Sequence, residues 1–262
     1  MSPTPAPSRP APASVTTTLA SNLRQVRADL QEATSDAGRS PECVELIAVV
    51  KQVTAQAALD LAALGCLRLA ENRLAGLLEK RARFAAEGVQ VEWHFIGHIQ
   101  RNKARRIVQN AAVLHSVDSE RLLLSLDRIA AEEQLQPRIF LEVKLADETE
   151  KHGLAPDQLE SAVRLAGSLA HLDLTGLMCM APRLRPGADD QHAAQDCFRQ
   201  LAQLAAGLAR KAELKQAFSD GAVKLSMGMS GDFGTAVAEG SHLCRVGSAL
   251  FRGLDQLKVP RP

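Results

Sequence analysis

Tyrosine is missing from this sequence of 262 residues, and aromatic side chains make up only 3% of it. A tyrosine phenol therefore cannot act as an acid or a base anywhere in the chain, which excludes enzymes that depend on one. Long apolar runs are missing too, since no stretch approaches the roughly 20 apolar residues that a membrane-spanning helix needs. There is also no basic-then-apolar signal near the N-terminus. We therefore expect a cytoplasmic protein.

An excess of charge of one sign is also absent, because 31 lysines and arginines face 30 aspartates and glutamates. This balance provides no overall field that favours nucleic acid or an anionic membrane. The five cysteines include no Cys-x-x-Cys pair, so we expect buried, reduced thiols rather than disulfides or zinc ligands. His94 and His98 are four residues apart but flank a predicted strand end rather than a helix turn, so we predict no metal site.

The chain divides into one domain and two tails. Residues 1–14 are rich in proline, alanine, serine and threonine, and such a segment lacks the apolar surface that offsets the entropy of ordering, so it is predicted to be a disordered tail. Residues 15–255 form the predicted domain, and 256–262 a C-terminal tail. The domain opens with a helix whose apolar residues recur at helical spacing until Gly38 ends it.

Short apolar segments then alternate with helical patterns eight times. The predicted strands are 46–50, 66–70, 91–97, 113–118, 137–145, 174–180, 223–229 and 243–250. Eight strands, each followed by a helical pattern, are typical of a closed (β/α)8 barrel, the TIM barrel of the α/β class, rather than of an open sheet. Sites in such barrels lie at the carboxyl ends of the strands, so residues at strand exits are the functional candidates.

Lys51 is the first of these candidates. It follows Leu46-Ile47-Ala48-Val49-Val50, an unbroken apolar run that is typical of a strand buried on both faces. Lysines are mostly exposed, so Lys51 taken alone also fits a simple exit of the strand into water. The rest of the chain has to decide between a site lysine and a surface lysine.

Two segments near the C-terminal end of the domain are suited to an anion. Residues 226–231 and the pair Gly247-Ser248 follow the seventh and eighth predicted strands, where barrels often hold phosphate through backbone N–H groups. Glycine permits close approach of the backbone, and serine adds a hydroxyl donor. Each segment alone is equally compatible with an ordinary turn.

Arg245 lies between Cys244 and Val246 in an apolar strand, where a buried guanidinium needs an acceptor. A pyridine nitrogen is one such acceptor, and the carboxylate of Glu71 is the alternative. An amine opposite a phosphate cradle indicates a Schiff-base lysine that faces an anionic anchor, as pyridoxal phosphate or a sugar phosphate requires.

Seven ordered segments carry a resemblance to a known family. They are Ala-Val-Val-Lys (48–51), Ala-Glu-Asn (70–72), Trp-His-Phe-Ile-Gly (93–97), Gln-Arg-Asn-Lys (100–103), Gly-Leu-Met (176–178), Ser-Met-Gly-Met-Ser (226–230) and Arg-Val-Gly-Ser-Ala-Leu-Phe (245–251). Over about Leu19 to Gly253 the chain resembles the pyridoxal phosphate homeostasis protein family. The resemblance implies a single-domain barrel similar to the N-terminal domain of alanine racemase, usually monomeric, that binds pyridoxal 5'-phosphate.

Seven positions match the cofactor-binding residues of that family. By this resemblance Lys51 would form the Schiff base and Arg245 would face the pyridine nitrogen. The remaining five would hold the phosphate (Ser226, Gly247 and Ser248) and line the ring (Asn72 and Met227). Five nearby positions depart from the family pattern, and they are Val50, Ala70, Arg73, His98 and Arg101.

The resemblance implies a carrier that stores pyridoxal phosphate or delivers it to apoenzymes, with little or no catalysis and no catalytic residue assigned. Alanine racemases use a tyrosine from a second domain, and this chain has none. An arginine can only donate to the pyridine nitrogen, which leaves the ring a weak electron sink. The alternatives are a pyridoxal-dependent racemase or lyase with weak one-base activity through Lys51, and a Schiff-base aldolase acting on a sugar phosphate.

Overall fold

Eight parallel strands close into a barrel in chain order in the computed structural model, which describes residues 14–145, 152–182, 190–257 and 259. The strands are β1 (Glu45–Val49), β2 (Arg68–Glu71), β3 (Glu92–Phe95), β4 (Val113–Val117), β5 (Arg138–Glu142), β6 (Asp173–Met178), β7 (Lys224–Ser226) and β8 (Leu243–Val246). The ring closes because β1 pairs with both β2 and β8. The predicted (β/α)8 barrel is confirmed.

The described residues also form nine α-helices around the barrel. They are α1 (Val15–Asp36), α2 (Ala55–Ala63), α3 (Leu74–Ala86), α4 (Ala104–Val108), α5 (Glu120–Glu133), α6 (Leu159–Ser168), α7 (Asp190–Arg210), α8 (Ala212–Lys215) and α9 (Phe233–Ala238). Three begin at hydroxyl caps, where the side chains of Ser14, Thr54 and Ser119 accept a backbone N–H of the first turn. Each such cap contributes about 1 kcal/mol to helix stability.

Alternate strand residues face opposite sides of the barrel wall. Ile47, Val49 and Phe140 belong to the small apolar cluster inside the barrel. Ala48 and Leu141 belong to the large cluster between the strands and the helices. Because the strands are buried on both faces, each reads in the sequence as a continuous apolar run.

Charged side chains form ion pairs at the amino ends of the strands. Arg68 pairs with Glu45 at 2.9 Å and with Glu92 at 3.7 Å, and Arg138 also pairs with Glu92. These side chains are partly exposed, so each pair contributes no more than about 1 kcal/mol to stability. The carboxyl ends of the strands lie at the opposite face, which is the expected place for a site.

The predicted N-terminal tail lies outside the described residues except for Ser14, whereas residues 256, 257 and 259 of the predicted C-terminal tail are described. Residues 1–13 are among those not described, and Ser14, which was counted with the N-terminal tail, caps α1. Residues 255–257 form a short 3₁₀ helix. In the described parts of the chain, no helix is both long and apolar enough to cross a membrane. All five cysteines are free thiols, and four of them are buried.

Candidate functional site

Four adjacent strands bring the seven candidate residues to one side of the barrel. In order around the wall, β7 pairs with β8, β8 with β1, and β1 with β2. These strands carry, in or just after them, Lys51, Asn72, Ser226, Met227, Arg245, Gly247 and Ser248. The closure of the barrel therefore joins the start of the domain to its end, as the prediction of a single site requires. The individual side chains nevertheless occupy three different environments.

Lys51, Ser248 and Asn72 lie at the outer end of the site. Lys51 is two residues beyond β1 and exposed, Ser248 is exposed, and Asn72 is half-buried. The backbone N–H of Asn72 donates to Glu71 Oε2 at 3.0 Å. A Cβ at Gly97 would lie 2.0 Å from the carbonyl oxygen of Asn72. Glycine is thus required at the end of the Trp-His-Phe-Ile-Gly segment because the Asn72 backbone occupies the space of a side chain.

Ser226 and Met227 do not lie where the resemblance placed them. The Ser226 side chain is fully buried inside the barrel, beside Arg245. The Met227 side chain is also fully buried, but in the cluster between the strands and the helices. Consecutive residues point to opposite faces, so only one of the two can face the barrel interior. Neither side chain lies at the rim with Ser248.

Arg245 is buried, with 5% of its surface exposed. Its Nη1 donates to Ser226 Oγ at 2.6 Å and its Nη2 to the Cys179 carbonyl at 2.9 Å. Glu71, the alternative partner, faces the helices instead and accepts from Lys80 Nζ at 2.8 Å. The Arg245–Glu71 pair is therefore wrong. Burial lowers the pKa of Arg245, yet a guanidinium stays protonated in proteins.

A line of hydrogen bonds crosses the barrel interior from Arg245 to Glu92, which lies at the amino end of β3. Ser226 Oγ lies 2.8 Å from His115 Nδ1, and His115 Nε2 lies 2.8 Å from His94 Nδ1. His94 Nε2 in turn lies 2.9 Å from Glu92 Oε1. We call these five side chains, from Glu92 to Arg245, the interior relay. His115 and Phe140 stack with their ring centroids 4.7 Å apart, which fixes the middle of the relay.

The protonation states set one direction for the whole relay. The hydrogen bond from His94 lowers the pKa of Glu92 to about 2, so Glu92 is a carboxylate that only accepts. Burial lowers the pKa of both His94 and His115, which are therefore neutral. His94 then donates to Glu92, His115 to His94, Ser226 to His115, and Arg245 to Ser226. The Ser226 hydroxyl hydrogen is committed to His115, which leaves Ser226 none to donate to a ligand.

The loops after β7 and β8 form a separate group of donors. The backbone N–H groups of Gly247 and Ala249 both donate to Ser230 Oγ, at 3.1 Å and 3.3 Å. Two N–H groups thus converge on one oxygen. Asp232 Oδ1 accepts from the Met229 N–H at 2.5 Å and fixes the loop that carries Ser230. Burial raises the pKa of Asp232.

Ser230 lies in the segment 226–231 that the sequence predicted to suit an anion. His94 and His115 were not connected with the site in the sequence analysis. The two histidines lie on β3 and β4 and join β7 only inside a closed barrel. Their signal was the alternation of inward positions along each strand, which puts His94 in the interior.

Comparison with known proteins identifies the family. Residues 21–255 match the family model "Alanine racemase, N-terminal domain". A protein of Pseudomonas aeruginosa named pyridoxal phosphate homeostasis protein is 36% identical over 240 residues, which cover 91% of this chain and 96% of that protein. The Escherichia coli K12 protein of the same name is 31% identical over 92% of this chain and 98% of its own length.

Solved structures agree with the fold. PipY of Synechococcus elongatus with PLP bound superposes with a TM-score of 0.74 at 33% identity, covering 89% of this chain and 99% of PipY. Alanine racemase of Clostridium difficile superposes with a TM-score of 0.62 at 14% identity, covering 88% of this chain and 56% of the racemase. At that identity the racemase demonstrates the shared barrel alone.

Proposed function

Because the chain belongs to the pyridoxal phosphate homeostasis protein family, we propose that it binds pyridoxal 5'-phosphate at the carboxyl ends of β1, β2, β7 and β8. The observation that carries the proposal is the environment of Arg245. This cation is buried, and it forms no salt bridge with a carboxylate among the described residues. Within the described ranges, its side-chain hydrogen bonds go to two acceptors, Ser226 and the Cys179 carbonyl. A guanidinium has five N–H donors, so others remain for a ligand acceptor such as a pyridine nitrogen.

The donors after β7 and β8 fit the phosphate. Backbone N–H groups that converge on one oxygen suit an anion, and Gly247 and Ala249 supply two. Ser230 and Ser248 add one hydroxyl from each loop. A Cβ at Gly247 would lie 3.2 Å from the Val49 carbonyl oxygen. The loop after β8 therefore packs closely against β1, and there is little room for a side chain at position 247.

The remaining roles rest on the resemblance to the family. Lys51 would supply the amine that condenses with the aldehyde of the cofactor to a Schiff base, with loss of water. By the same resemblance Asn72 lines the ring from β2. The Met227 side chain packs against the helices, and its backbone N–H and carbonyl are bonded to Leu243 and Ser241. Ser226 holds Arg245 in place rather than the phosphate. When bound, the cofactor supplies an aldehyde that can be handed on, and an electron sink whose strength depends on its ring nitrogen.

We propose a carrier in preference to an enzyme. Arg245 donates a hydrogen bond without giving up its proton, which leaves the ring a weak electron sink, and the chain has no tyrosine to serve as a second acid. The finer picture is a cytoplasmic monomer that buffers the cofactor or passes it to apoenzymes. The match to the racemase domain favours one alternative, a racemase or lyase with weak activity.

One experiment tests the proposal. The purified full chain is mixed with pyridoxal phosphate, its visible spectrum is recorded, and borohydride is added before the modified lysine is mapped. We expect a yellow protein, bleaching, and a label on Lys51 that is lost in Lys51→Ala. Lys144→Ala, which removes another lysine beyond a strand exit, should keep the label on Lys51.

Other results would decide against it. A protein whose spectrum ignores the cofactor, or a label spread equally over several lysines, would exclude the proposed site. Turnover of amino acids well above that of free pyridoxal phosphate would favour the racemase or lyase. Trapping of Lys51 with a sugar phosphate, but not with pyridoxal phosphate, would indicate the aldolase.

A further inference from the structure

Three polar side chains meet at the rim on the far side of the barrel. His98 follows β3, Asp118 follows β4, and His152 lies in the connection after β5. His98 Nδ1 is 3.3 Å from Asp118 Oδ2, and His152 Nδ1 is 4.0 Å from the same oxygen. One ligand atom from each residue lies within 4.8 Å of the other two. The three residues are called the rim triad below.

The spacing of these atoms is close to that of a metal centre. Zinc bound by four ligands at about 2.0–2.1 Å has ligand atoms about 3.3–3.4 Å apart along the edges of the tetrahedron. The His98–Asp118 distance already has this value. The distance from His152 to Asp118 has to shorten by a little over half an ångström, and the nitrogens of His98 and His152, which lie within 4.8 Å of each other, have to approach to the same spacing; rotations of two exposed side chains provide both changes.

The orientation of the triad is partly fixed in advance. Ser119 Oγ donates to Asp118 Oδ1 at 3.0 Å, which leaves Oδ2 directed at the histidines. The imidazoles of His98 and His152 stack beside it with centroids 3.9 Å apart and an angle of 14° between their planes, so one ring has to rotate before both in-plane lone pairs can meet at one ion. Outer hydrogen bonds such as the one from Ser119 to Asp118 orient the ligands of known metal sites.

A simple ion pair does not account for the arrangement. An exposed pair of His98 with Asp118 would be worth no more than about 1 kcal/mol and needs no second imidazole directed at the same oxygen. Two imidazole nitrogens and one carboxylate oxygen are instead a ligand set that suits a late first-row metal, and three protein ligands leave a fourth position open.

We propose that His98, Asp118 and His152 bind a divalent transition-metal ion, Zn²⁺ being the best match. Around the barrel, β4 stands opposite β8, but His98 and Asn72 line one cavity, so this centre borders the proposed cofactor site and uses none of its seven residues. Sequence analysis predicted no metal site because it tested His98 against His94, whose side chain points into the barrel instead. The bound ion ties together the connections after β3, β4 and β5, and its open position takes water or a carboxylate.

The test is a titration of the full chain with Zn²⁺ by calorimetry and with Co²⁺ by visible spectroscopy. We expect one ion per chain and the intense d–d bands of four-coordinate cobalt. His98→Asn, Asp118→Asn and His152→Asn should each weaken binding by more than about tenfold, since loss of an outer hydrogen bond alone costs about that much. Zn²⁺ should raise the melting temperature of the wild type and not of these variants.

The matched control is His171→Asn. His171 is also a surface histidine beside a carboxylate, with its Nδ1 3.5 Å from Asp127 Oδ1. This variant should bind Zn²⁺ like the wild type. Equal affinity in the wild type and the three triad variants would overturn the proposal, as would a cobalt–thiolate charge-transfer band that assigns the ion to a cysteine. Because the readout is metal binding, failure here leaves the cofactor experiment unaffected.

Discussion

Replacing His115 by phenylalanine separates two effects of this residue on stability: the hydrogen bonds that it makes in the interior relay, and the pH dependence that its buried imidazole causes. Phenylalanine keeps a ring against Phe140, whose centroid lies 4.7 Å from that of His115. It removes the acceptor for Ser226 and the donor to His94. An unpaired buried polar group costs about 1–3 kcal/mol, so two of them should lower the free energy of unfolding at pH 7 by about 2–6 kcal/mol.

The same substitution lowers the stability at pH 7 but should make the free energy of unfolding less sensitive to acid. Burial holds the pKa of His115 well below 6.5, its value in the unfolded chain. The unfolded state therefore binds more protons as the pH falls below about 6.5, and the folded state loses stability. For one histidine this loss is about 2 kcal/mol between pH 7 and pH 5. The variant has no imidazole at this position, so the wild type should lose about that much more on acidification.

Urea unfolding of both proteins at pH 7, 6 and 5 provides the measurement, with the denaturant slope compared to confirm that the unfolded states are alike. Ser226→Ala is the control, because it breaks the relay while His115 stays buried. Its stability at pH 7 should fall, but its loss between pH 7 and pH 5 should match that of the wild type. Should His115→Phe lose stability on acidification as steeply as the wild type, His115 is not the neutral buried group described here.

Two further predictions concern the support of Asn72. Lys80→Met leaves the buried carboxylate of Glu71 without its cation and should lower the free energy of unfolding in urea by about 3–5 kcal/mol. The double variant with Glu71→Leu should recover much of that loss. Equal stability of the single and double variants would contradict this. Gly97→Ala places a Cβ 2.0 Å from the Asn72 carbonyl oxygen, so it should destabilise the fold and weaken cofactor binding in spectral titrations. Gly207→Ala, in α7 with no atom closer than 3.9 Å, should do neither.

The elements that local chemistry decides were predicted well. The helix pattern from Val15 to Gly38 corresponds to α1, because a hydroxyl cap, apolar spacing and a glycine with φ 66° all agree. The seventh strand was predicted to extend to Met229, but β7 ends at Ser226. Gly228 has φ 91°, a backbone conformation that ends the pairing of β7 with its neighbouring strands. The apolar residues on both sides of Gly228 gave no sign of this end in the sequence.

The sequence between the third and fourth strands has a basic helical pattern from His98 to Asn110, but the helix in the structure is shorter. A 3₁₀ turn at 101–103 precedes α4, and His98 lies outside both. Helical spacing alone could not show that His98 would turn toward Asp118, because that contact depends on the neighbouring strand. The placement of Ser226 was missed for a related reason: its partners, on β4 and β8, come from distant parts of the sequence.

The direction of the interior relay bears on why the site suits a carrier. Every hydrogen bond runs from Arg245 toward Glu92, and Glu92 is fixed as the acceptor by its low pKa. Reversing the relay would require a proton on Glu92 at one end and a neutral guanidinium at the other, and both are unfavourable near neutral pH. Arg245 therefore offers a bound ring nitrogen a hydrogen bond and no proton. In the proposed binding mode, a barrel that shares its fold with a racemase would hold the cofactor and would not provide the ring protonation that strengthens it as an electron sink.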